Sequence, residues 1–282
     1  MTVHRFLRQI LLVLCLSIMA AVCVFAQAPA GKEEYQPSVG QAGKDVIWVP
    51  TAQALADKML SLAQVTPQDY VIDLGSGDGR FVITAAKRGA RAHGIEYNPD
   101  LVELSKRAAA REGVADKATF VKADLFESDF STATVITMFL LPEINLRLRP
   151  LILDLKPGTR IVSNSFDMGD WTAEQTITLG REEGCDNNYC QAYFWIVPAK
   201  VAGAWKLPQG ELRLTQNYQM VSGDLHSGKN RTSVADGRLT GSQISFKIGD
   251  AHYTGNIVGA AMEGTVKSGN NSAPWSAKRL AN

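Results

Sequence analysis

The stretch Val71-Ile72-Asp73-Leu74-Gly75-Ser76-Gly77-Asp78-Gly79-Arg80 decides the fold of this chain. It begins as a short apolar run, passes through three glycines and continues into a helical pattern. Glycines let the backbone turn sharply and let a ligand lie against it, and the N-terminus of a following helix offers free N–H groups to an anion. The stretch therefore predicts a strand, a ligand-binding loop and a helix.

Strand and helix patterns alternate on both sides of this loop, which is typical of a parallel sheet covered by helices on both faces. Strands are predicted at 70–74, 91–96, 118–121, 134–139, 160–163 and 191–197, and helices at 52–60, 80–88, 99–111 and 144–155. The aromatic-rich last strand is expected to be antiparallel, and Thr51 is expected to cap the first helix. We predict an α/β fold over residues 46–200, a doubly wound, mostly parallel, seven-stranded Rossmann-like sheet.

The helical period disappears in residues 201–282, where short alternating runs are divided by glycine turns. This pattern predicts a small antiparallel β-meander of seven or eight strands, closed into a barrel or a sandwich. The segment resembles small lipocalin-type barrels, in which an early tryptophan packs under an arginine of the last strand. Trp205 and Arg279 are accordingly expected to form a cation–π pair.

Two kinds of ligand would suit the glycine loop, a dinucleotide or S-adenosylmethionine. Asp73 lies two residues before the first glycine, where a carboxylate would repel a pyrophosphate but attract the ammonium group of a methionine moiety. The glycine spacing is G-x-G-x-G rather than the G-x-G-x-x-G of nicotinamide enzymes. Both features favour S-adenosylmethionine.

Two further acidic positions follow at predicted strand ends. Glu96 is placed to reach the ribose hydroxyls in either kind of fold, and Asp124-Leu125 is placed to bind the adenine edge. Taken alone, Asp73 could be a turn residue and Glu96 a capping acid. Their joint occurrence at successive strand ends predicts a cofactor site.

Three blocks make the chain resemble class I methyltransferases: Trp48-Val49-Pro50-Thr51, the loop from Asp73 to Arg80, and Gly94-Ile95-Glu96-Tyr97-Asn98-Pro99. The chain looks most like small bacterial proteins related to the mitochondrial ATP synthase c-subunit lysine methyltransferase, which are similar to non-SET histone lysine methyltransferases. The resemblance covers residues 46–172. The relatives commonly carry a tyrosine where Trp48 stands, and the mitochondrial relatives lack the leader and the β-rich tail.

The resemblance and the motif together define a set of candidate site residues. The cofactor-binding candidates are Thr51, Asp73, Gly75, Ser76, Gly77, Gly79, Glu96, Tyr97, Asp124 and Leu125. The acceptor-side candidates are Phe139, Glu143, Asn145 and Trp48. Phe139 could equally be a core residue, and no general base is assigned. The resemblance implies a methyltransferase that acts on a protein lysine.

The N-terminus predicts export. Basic residues precede an apolar run that ends at Val24-Phe25-Ala26, so residues 1–26 are interpreted as a signal peptide, or alternatively as an uncleaved anchor close to the membrane. Residues 27–45 are interpreted as a flexible linker. Either interpretation of the N-terminus places the domains in the bacterial periplasm, where Cys185 and Cys190 are expected to form a disulfide rather than stay reduced.

The bulk composition excludes few classes of function. The chain has 282 residues and a formal net charge of +1, which gives no reason to expect a nucleic-acid partner. Of the four cysteines, Cys15 and Cys23 lie in the predicted signal peptide, and the remaining two with scattered histidines do not predict a metal site. Because S-adenosylmethionine is made in the cytosol, export leaves a rival hypothesis open: a non-catalytic binding protein that uses its barrel. A small-molecule methyltransferase is a further alternative, which keeps the cofactor pocket and changes only the acceptor. The sequence makes no prediction of an oligomeric state.

Overall fold

A mostly parallel sheet of seven strands forms the first part of the fold. The computed structural model describes residues 35–281, so the predicted signal peptide lies outside the described residues. The strands are β1 (Tyr70–Leu74), β2 (Arg91–Glu96), β3 (Ala118–Lys122), β4 (Val135–Met138), β5 (Arg160–Asn164), β6 (Gln175–Thr178) and β7 (Gln191–Ile196). The helices are α1 (Gln53–Leu62), α2 (Arg80–Lys87), α3 (Pro99–Arg111) and α4 (Pro142–Leu153).

The strands lie in the order β3-β2-β1-β4-β5-β7-β6. Strands β1 to β5 are parallel, and β7 runs antiparallel to β5 as expected. The predicted doubly wound α/β fold is confirmed. The order reverses between β1 and β4, and ligands of such sheets bind outside the carboxyl ends of the strands at this switch point. The glycine loop after β1 therefore opens at the place where a ligand is expected.

Two local features differ from the sequence-based predictions: one strand was not predicted, and one predicted cap is absent. Strand β6 (Gln175–Thr178) was not predicted, because this edge strand is largely exposed and has no apolar alternation. Thr51 does not cap α1, whose N-cap is Ala52 and which has no side-chain cap bond. The Thr51 side chain is instead buried, and its hydroxyl accepts a hydrogen bond from Asn164 Nδ2 at 3.0 Å.

The second part of the fold is a closed barrel of eight antiparallel strands, as predicted. The strands are β8 (Gly203–Leu207), β9 (Gly210–Asn217), β10 (Met220–Ser227), β11 (Asn230–Thr240), β12 (Gln243–Ile248), β13 (Ala251–Val258), β14 (Ala261–Ser268) and β15 (Asn271–Arg279). Alternate side chains fill the interior, among them the fully buried Trp205 and Phe246. The predicted cation–π pair is confirmed, with Arg279 Cζ 4.3 Å from the centroid of the Trp205 ring.

Polar and aromatic contacts attach the barrel to the sheet domain. The ring of Tyr218 stacks on Trp171 with centroids 5.9 Å apart, and Gln219 Nε2 donates to the Thr172 carbonyl at 2.7 Å. Arg238 pairs with Glu174.

Within residues 35–281, no helix is long and apolar enough to cross a membrane.

Replacing Arg279 by lysine is expected to destabilise the barrel by about 1–3 kcal/mol, because lysine keeps the charge but loses the planar fork. The Arg279 guanidinium covers Trp205 and also donates to the carbonyls of Ala202 and Lys200. The measurement is urea unfolding followed by tryptophan fluorescence. As a control, Arg231→Lys alters an exposed ion pair with Asp224 and should cost less than about 1 kcal/mol. Equal losses in the two variants would contradict the prediction.

Candidate active site

A cavity opens at the carboxyl ends of β1, β2 and β4, where the switch point lies. Nine of the ten predicted cofactor-binding residues line it, namely Thr51, Asp73, Gly75, Ser76, Gly77, Glu96, Tyr97, Asp124 and Leu125. Their contact with the cofactor stays a prediction. Gly79 does not line the cavity: its φ is +81°, and a Cβ there would lie 2.8 Å from the Phe120 ring and from Ser105 Cβ. Gly79 is therefore required for packing of the loop.

Asp73 is the last but one residue of β1, and it lines the cavity although it is only 2% exposed. One carboxyl oxygen accepts a hydrogen bond from Thr137 Oγ1 of β4 at 2.6 Å. Burial raises the pKa of the Asp73 carboxyl to about 8, against the opposing effect of the Thr137 hydrogen bond. A carboxyl group held in this way becomes a stable anion when a cation binds beside it.

Glu96 organises the glycine loop as well as lining the cavity. Its Oε2 accepts a hydrogen bond from the backbone N–H of Gly77 at 2.8 Å, and its Oε1 accepts from the N–H of Asn98 at 2.9 Å. Asn98 in turn caps α3 through a hydrogen bond from the N–H of Asp100. The carboxylate therefore ties the loop after β1 to the loop after β2.

The glycine loop presses closely against its neighbours. Gly75 and Gly77 have φ of +76° and +52°. A Cβ on Gly77 would lie 2.8 Å from Trp48 Nε1, and one on Gly75 would lie 3.0 Å from a Leu140 methyl group. Ser76 lies between them, and its buried hydroxyl has no hydrogen-bond partner in the described part of the chain.

Asp124 already has a cationic partner, which the sequence did not indicate. Its carboxylate pairs with Lys44 and also accepts a hydrogen bond from the N–H of Phe126 at 2.9 Å. The bond from Lys44 holds the pKa of the Asp124 carboxyl below its usual value. Lys44 Nζ also lies 5.1 Å from the centroid of the Tyr97 ring.

The predicted linker, residues 27–45, lies outside the described residues as far as residue 34, and its last five residues, 41–45, line the cavity. Residues 41–50 line it. The segment folds back on itself through hydrogen bonds from Gly40 N to the Trp48 carbonyl and from Trp48 N to the Gln41 carbonyl, both 2.9 Å long. The polar, glycine-rich composition suggested a tether, but the backbone bonds and the Lys44–Asp124 pair fix this segment over the glycine loop.

The acceptor-side candidates separate into two groups. Trp48 and Phe139 line the cavity, together with Leu141, Phe166 and Tyr189. We call this region the acceptor end. Phe166 and Tyr189 were not among the predicted site residues. The signals in the sequence were the position of Phe166 just after a predicted strand and that of Tyr189 beside a predicted disulfide.

Asn145 and Glu143 do not line the cavity, so the expectation that these two candidates lie on the acceptor side of the site is corrected. Asn145 is fully buried, and its Nδ2 donates to the carbonyls of Phe166 and Asp167 at 3.2 and 3.1 Å. These bonds fix the turn after β5. Glu143 lies in the first turn of α4 and is exposed to solvent.

The residues present fit S-adenosylmethionine. The Asp73 carboxyl is buried in the cavity without a cationic partner of its own among the residues described, which suits the ammonium group of an amino acid. Asp124 and Glu96 lie on the neighbouring strand ends, where the adenine and ribose are expected. Among residues 35–281 there is no cluster of three or more side chains that could hold a metal ion. Fold and site together are those of a Rossmann-like methyltransferase.

Comparisons with known proteins agree with this assignment. The sequence profile of the ANTKMT methyltransferase domain matches residues 73–175. A protein-lysine N-methyltransferase of Saccharolobus islandicus (strain REY15A) is 41% identical over 151 residues, which are 52% of this chain and 92% of that protein. The lysine N-methyltransferase of the ATP synthase c-subunit from Rattus norvegicus is 39% identical over 47% of this chain and 62% of its own length, so the chain spans less than two thirds of the rat protein.

A solved structure adds the cofactor. An RNA methyltransferase from Salinibacter ruber, in complex with S-adenosyl-L-homocysteine, is 45% identical, with a TM-score of 0.50 over 54% of this chain and 96% of that one. The chain belongs to the class I S-adenosylmethionine-dependent methyltransferases. The rival hypothesis of a non-catalytic binding protein is not favoured.

Proposed function

We propose that this protein is a protein-lysine N-methyltransferase that acts outside the bacterial cytoplasm. The observation that carries the acceptor class is the 41% identity to the protein-lysine N-methyltransferase of S. islandicus over 92% of that protein. The apolar and aromatic acceptor end of the cavity supports it. A lysine side chain is a long apolar stem with an amine at its tip, and such a stem packs well against apolar walls.

S-adenosylmethionine supplies a sulfonium methyl group: the amine lone pair forms the new N–C bond while the C–S electron pair leaves with sulfur. This chain has to hold the two reactants in line, because positioning alone can lower the barrier by roughly 7–11 kcal/mol. Asp73, Glu96 and Asp124 are expected to bind the cofactor, and we call their part of the cavity the cofactor end. Phe139 and Phe166 line the acceptor end.

The acceptor end also favours the reactive, neutral form of the acceptor amine. Its aromatic and apolar side chains exclude water, and burial of an amine favours the neutral form that carries the reactive lone pair. After transfer, the proton of the new alkylammonium is released to solvent. No general base is required of the chain in this scheme.

Two observations support an exported protein. Residues 1–26 have the pattern of a signal peptide or of an uncleaved anchor, and Cys185 and Cys190 form the predicted disulfide. Disulfides persist in oxidising compartments and are rare in the cytosol. We propose a periplasmic location on this basis, with a membrane-proximal protein as the acceptor if the N-terminal segment stays in place.

The test is transfer of a radiolabelled methyl group from S-adenosylmethionine by the purified full chain to a bacterial envelope extract. We expect a labelled protein band that yields methyl-lysine on hydrolysis and is absent with Asp73→Asn. Label in RNA, the acceptor named for the S. ruber relative, or in small molecules would contradict the lysine assignment. Fusion of residues 1–26 to a reporter enzyme active only in the periplasm tests export, and a reporter that stays in the cytoplasm would contradict it.

A further inference from the structure

Three aromatic rings meet at the acceptor end of the cavity, and one of them comes from the loop closed by the Cys185–Cys190 disulfide. The centroids of the Phe139 and Tyr189 rings are 5.3 Å apart, those of Phe139 and Phe166 are 6.2 Å apart, and those of Phe166 and Tyr189 are 6.5 Å apart. All three residues are half-buried and line the cavity. We call Phe139, Phe166 and Tyr189 the aromatic wall.

Two of the rings are fixed by the sheet. Phe139 directly follows β4. Phe166 follows β5 in a turn in which Ser165 takes the left-handed conformation, with φ of +62°. The Phe166 carbonyl accepts hydrogen bonds from Ser163 Oγ at 2.6 Å and from Asn145 Nδ2 at 3.2 Å. The strand ends and these bonds therefore fix the backbone that carries the two rings.

The third ring is fixed by the disulfide. Tyr189 lies immediately before Cys190, and both cysteines are buried against the core that α1 and α2 cover. Three of the four residues between them, Asp186, Asn187 and Asn188, are exposed, so burial does not hold this part of the loop. Its backbone is turned by a hydrogen bond from Tyr189 N to Asn187 Oδ1 at 2.7 Å. The bridge anchors both ends of the loop that carries Tyr189.

Aromatic faces attract alkylammonium ions, which the ring quadrupole binds within about 6 Å of the centroid. We propose that the Cys185–Cys190 loop is part of the acceptor site and that its Tyr189 completes the aromatic wall, which binds the positive charge that develops on the acceptor nitrogen during transfer and the alkylammonium group of the methylated product. The inference rests on the proposed lysine acceptor. It makes Tyr189 a residue of the acceptor site and the disulfide the element that positions it.

The test uses a probe that does not depend on catalysis. Choline carries a trimethylammonium group, and 3,3-dimethylbutan-1-ol is its uncharged isostere. Binding of each to the full chain saturated with S-adenosylhomocysteine is followed by NMR titration. We expect choline to bind about fivefold more tightly than the isostere, and this preference to disappear in Tyr189→Ala and to fall in the double variant Cys185→Ser/Cys190→Ser. Tyr189→Phe should retain it.

Affinity for S-adenosylhomocysteine, measured by calorimetry, should stay unchanged in all these variants, which shows that the cofactor end is intact. Asn188→Ala, in the same loop but outside the cavity lining, is the matched control and should bind both probes like wild type. Addition of a reductant to wild type should reproduce the effect of the double variant. With a lysine acceptor, Tyr189→Ala should raise KM for the acceptor and leave KM for the cofactor unchanged.

An equal affinity for choline and its isostere in wild type would overturn the proposal, and so would a preference that survives in Tyr189→Ala. These outcomes are separate from failure of the proposed function. Absence of methyl-lysine in the transfer experiment counts against the lysine acceptor, whereas loss of choline selectivity in Tyr189→Ala still identifies the wall as a cation-binding surface.

Discussion

Asparagine in place of Asp73 is expected to weaken S-adenosylmethionine binding by about 100-fold or more and, at the same time, to stabilise the cofactor-free protein. Removal of one partner of a buried, hydrogen-bonded charge pair typically costs about 2–5 kcal/mol of binding energy. Asp73 is almost completely buried, and Thr137 engages one of its carboxyl oxygens. The amide can still accept the bond from Thr137, but it cannot neutralise the ammonium group of the cofactor.

The stabilisation of the cofactor-free protein follows from the pKa of Asp73. The folded pKa is about 8 because of burial, and the unfolded pKa is about 3.9. The contribution of this group to stability is therefore complete below about pH 4 and is lost as the pH rises towards 8, by on the order of 1 kcal/mol for each pH unit. Asparagine has no proton to lose, so the gap in Tm between Asp73→Asn and wild type should widen from pH 5 to pH 8.

Asp69 provides a matched control just before the opposite end of β1. Burial acts to raise its pKa, but hydrogen bonds from Thr66, Thr134 and Arg160 outweigh burial and lower it. Its stabilising contribution is present above the unfolded pKa and is lost as the pH falls through the folded pKa. Asp69→Asn should therefore lower Tm at pH 7 and leave cofactor affinity unchanged. A calorimetric titration in which the dissociation constant of Asp73→Asn for S-adenosylmethionine lies within threefold of the wild-type value would refute the role of Asp73 in cofactor binding.

The cofactor end of the site was predictable because its chemistry lies in local motifs. Asp73, Glu96 and Asp124 each follow the apolar core of a predicted strand, and the carboxyl ends of parallel strands meet at one edge of the sheet. The predicted strands alone therefore place all three side chains together. The Trp205–Arg279 pair was predictable from the resemblance to small lipocalin-type barrels, and the pairing of β15 with β8 brings the two residues side by side.

The acceptor end was less predictable because it depends on contacts between segments far apart in sequence. Asn145 was predicted to bind the acceptor, but it faces the core and fixes Phe166. Tyr189 reaches the cavity through a loop whose sequence is polar and exposed. Lys44 lies in a stretch with the composition of a linker, and its pairing with Asp124 joins residues 80 positions apart. Local propensity carries no signal for such contacts.

Alanine in place of Gly77 is expected to reduce cofactor affinity at least tenfold. Gly77 lines the cavity with φ of +52°, and its added methyl group would lie 2.8 Å from Trp48 Nε1. No real Cβ tolerates this distance, so the indole of Trp48 or the glycine loop has to shift. A shift of the loop displaces the Gly77 N–H that donates to Glu96, and a shift of the indole moves Trp48 within the cavity lining. Calorimetry with S-adenosylhomocysteine measures the loss.

Gly113 separates this steric effect from backbone strain. It also has a positive φ, +68°, but a Cβ there meets no atom within 4 Å. Both alanine variants should lose about 1–2 kcal/mol of stability, because L-residues are disfavoured in the left-handed region. Only Gly77→Ala should also lose cofactor affinity. Equal cofactor affinities in the two variants would mean that the loop binds the cofactor without the close approach at Gly77. If Trp48→Ala restores cofactor affinity in the Gly77→Ala background, the obstruction lies at the indole.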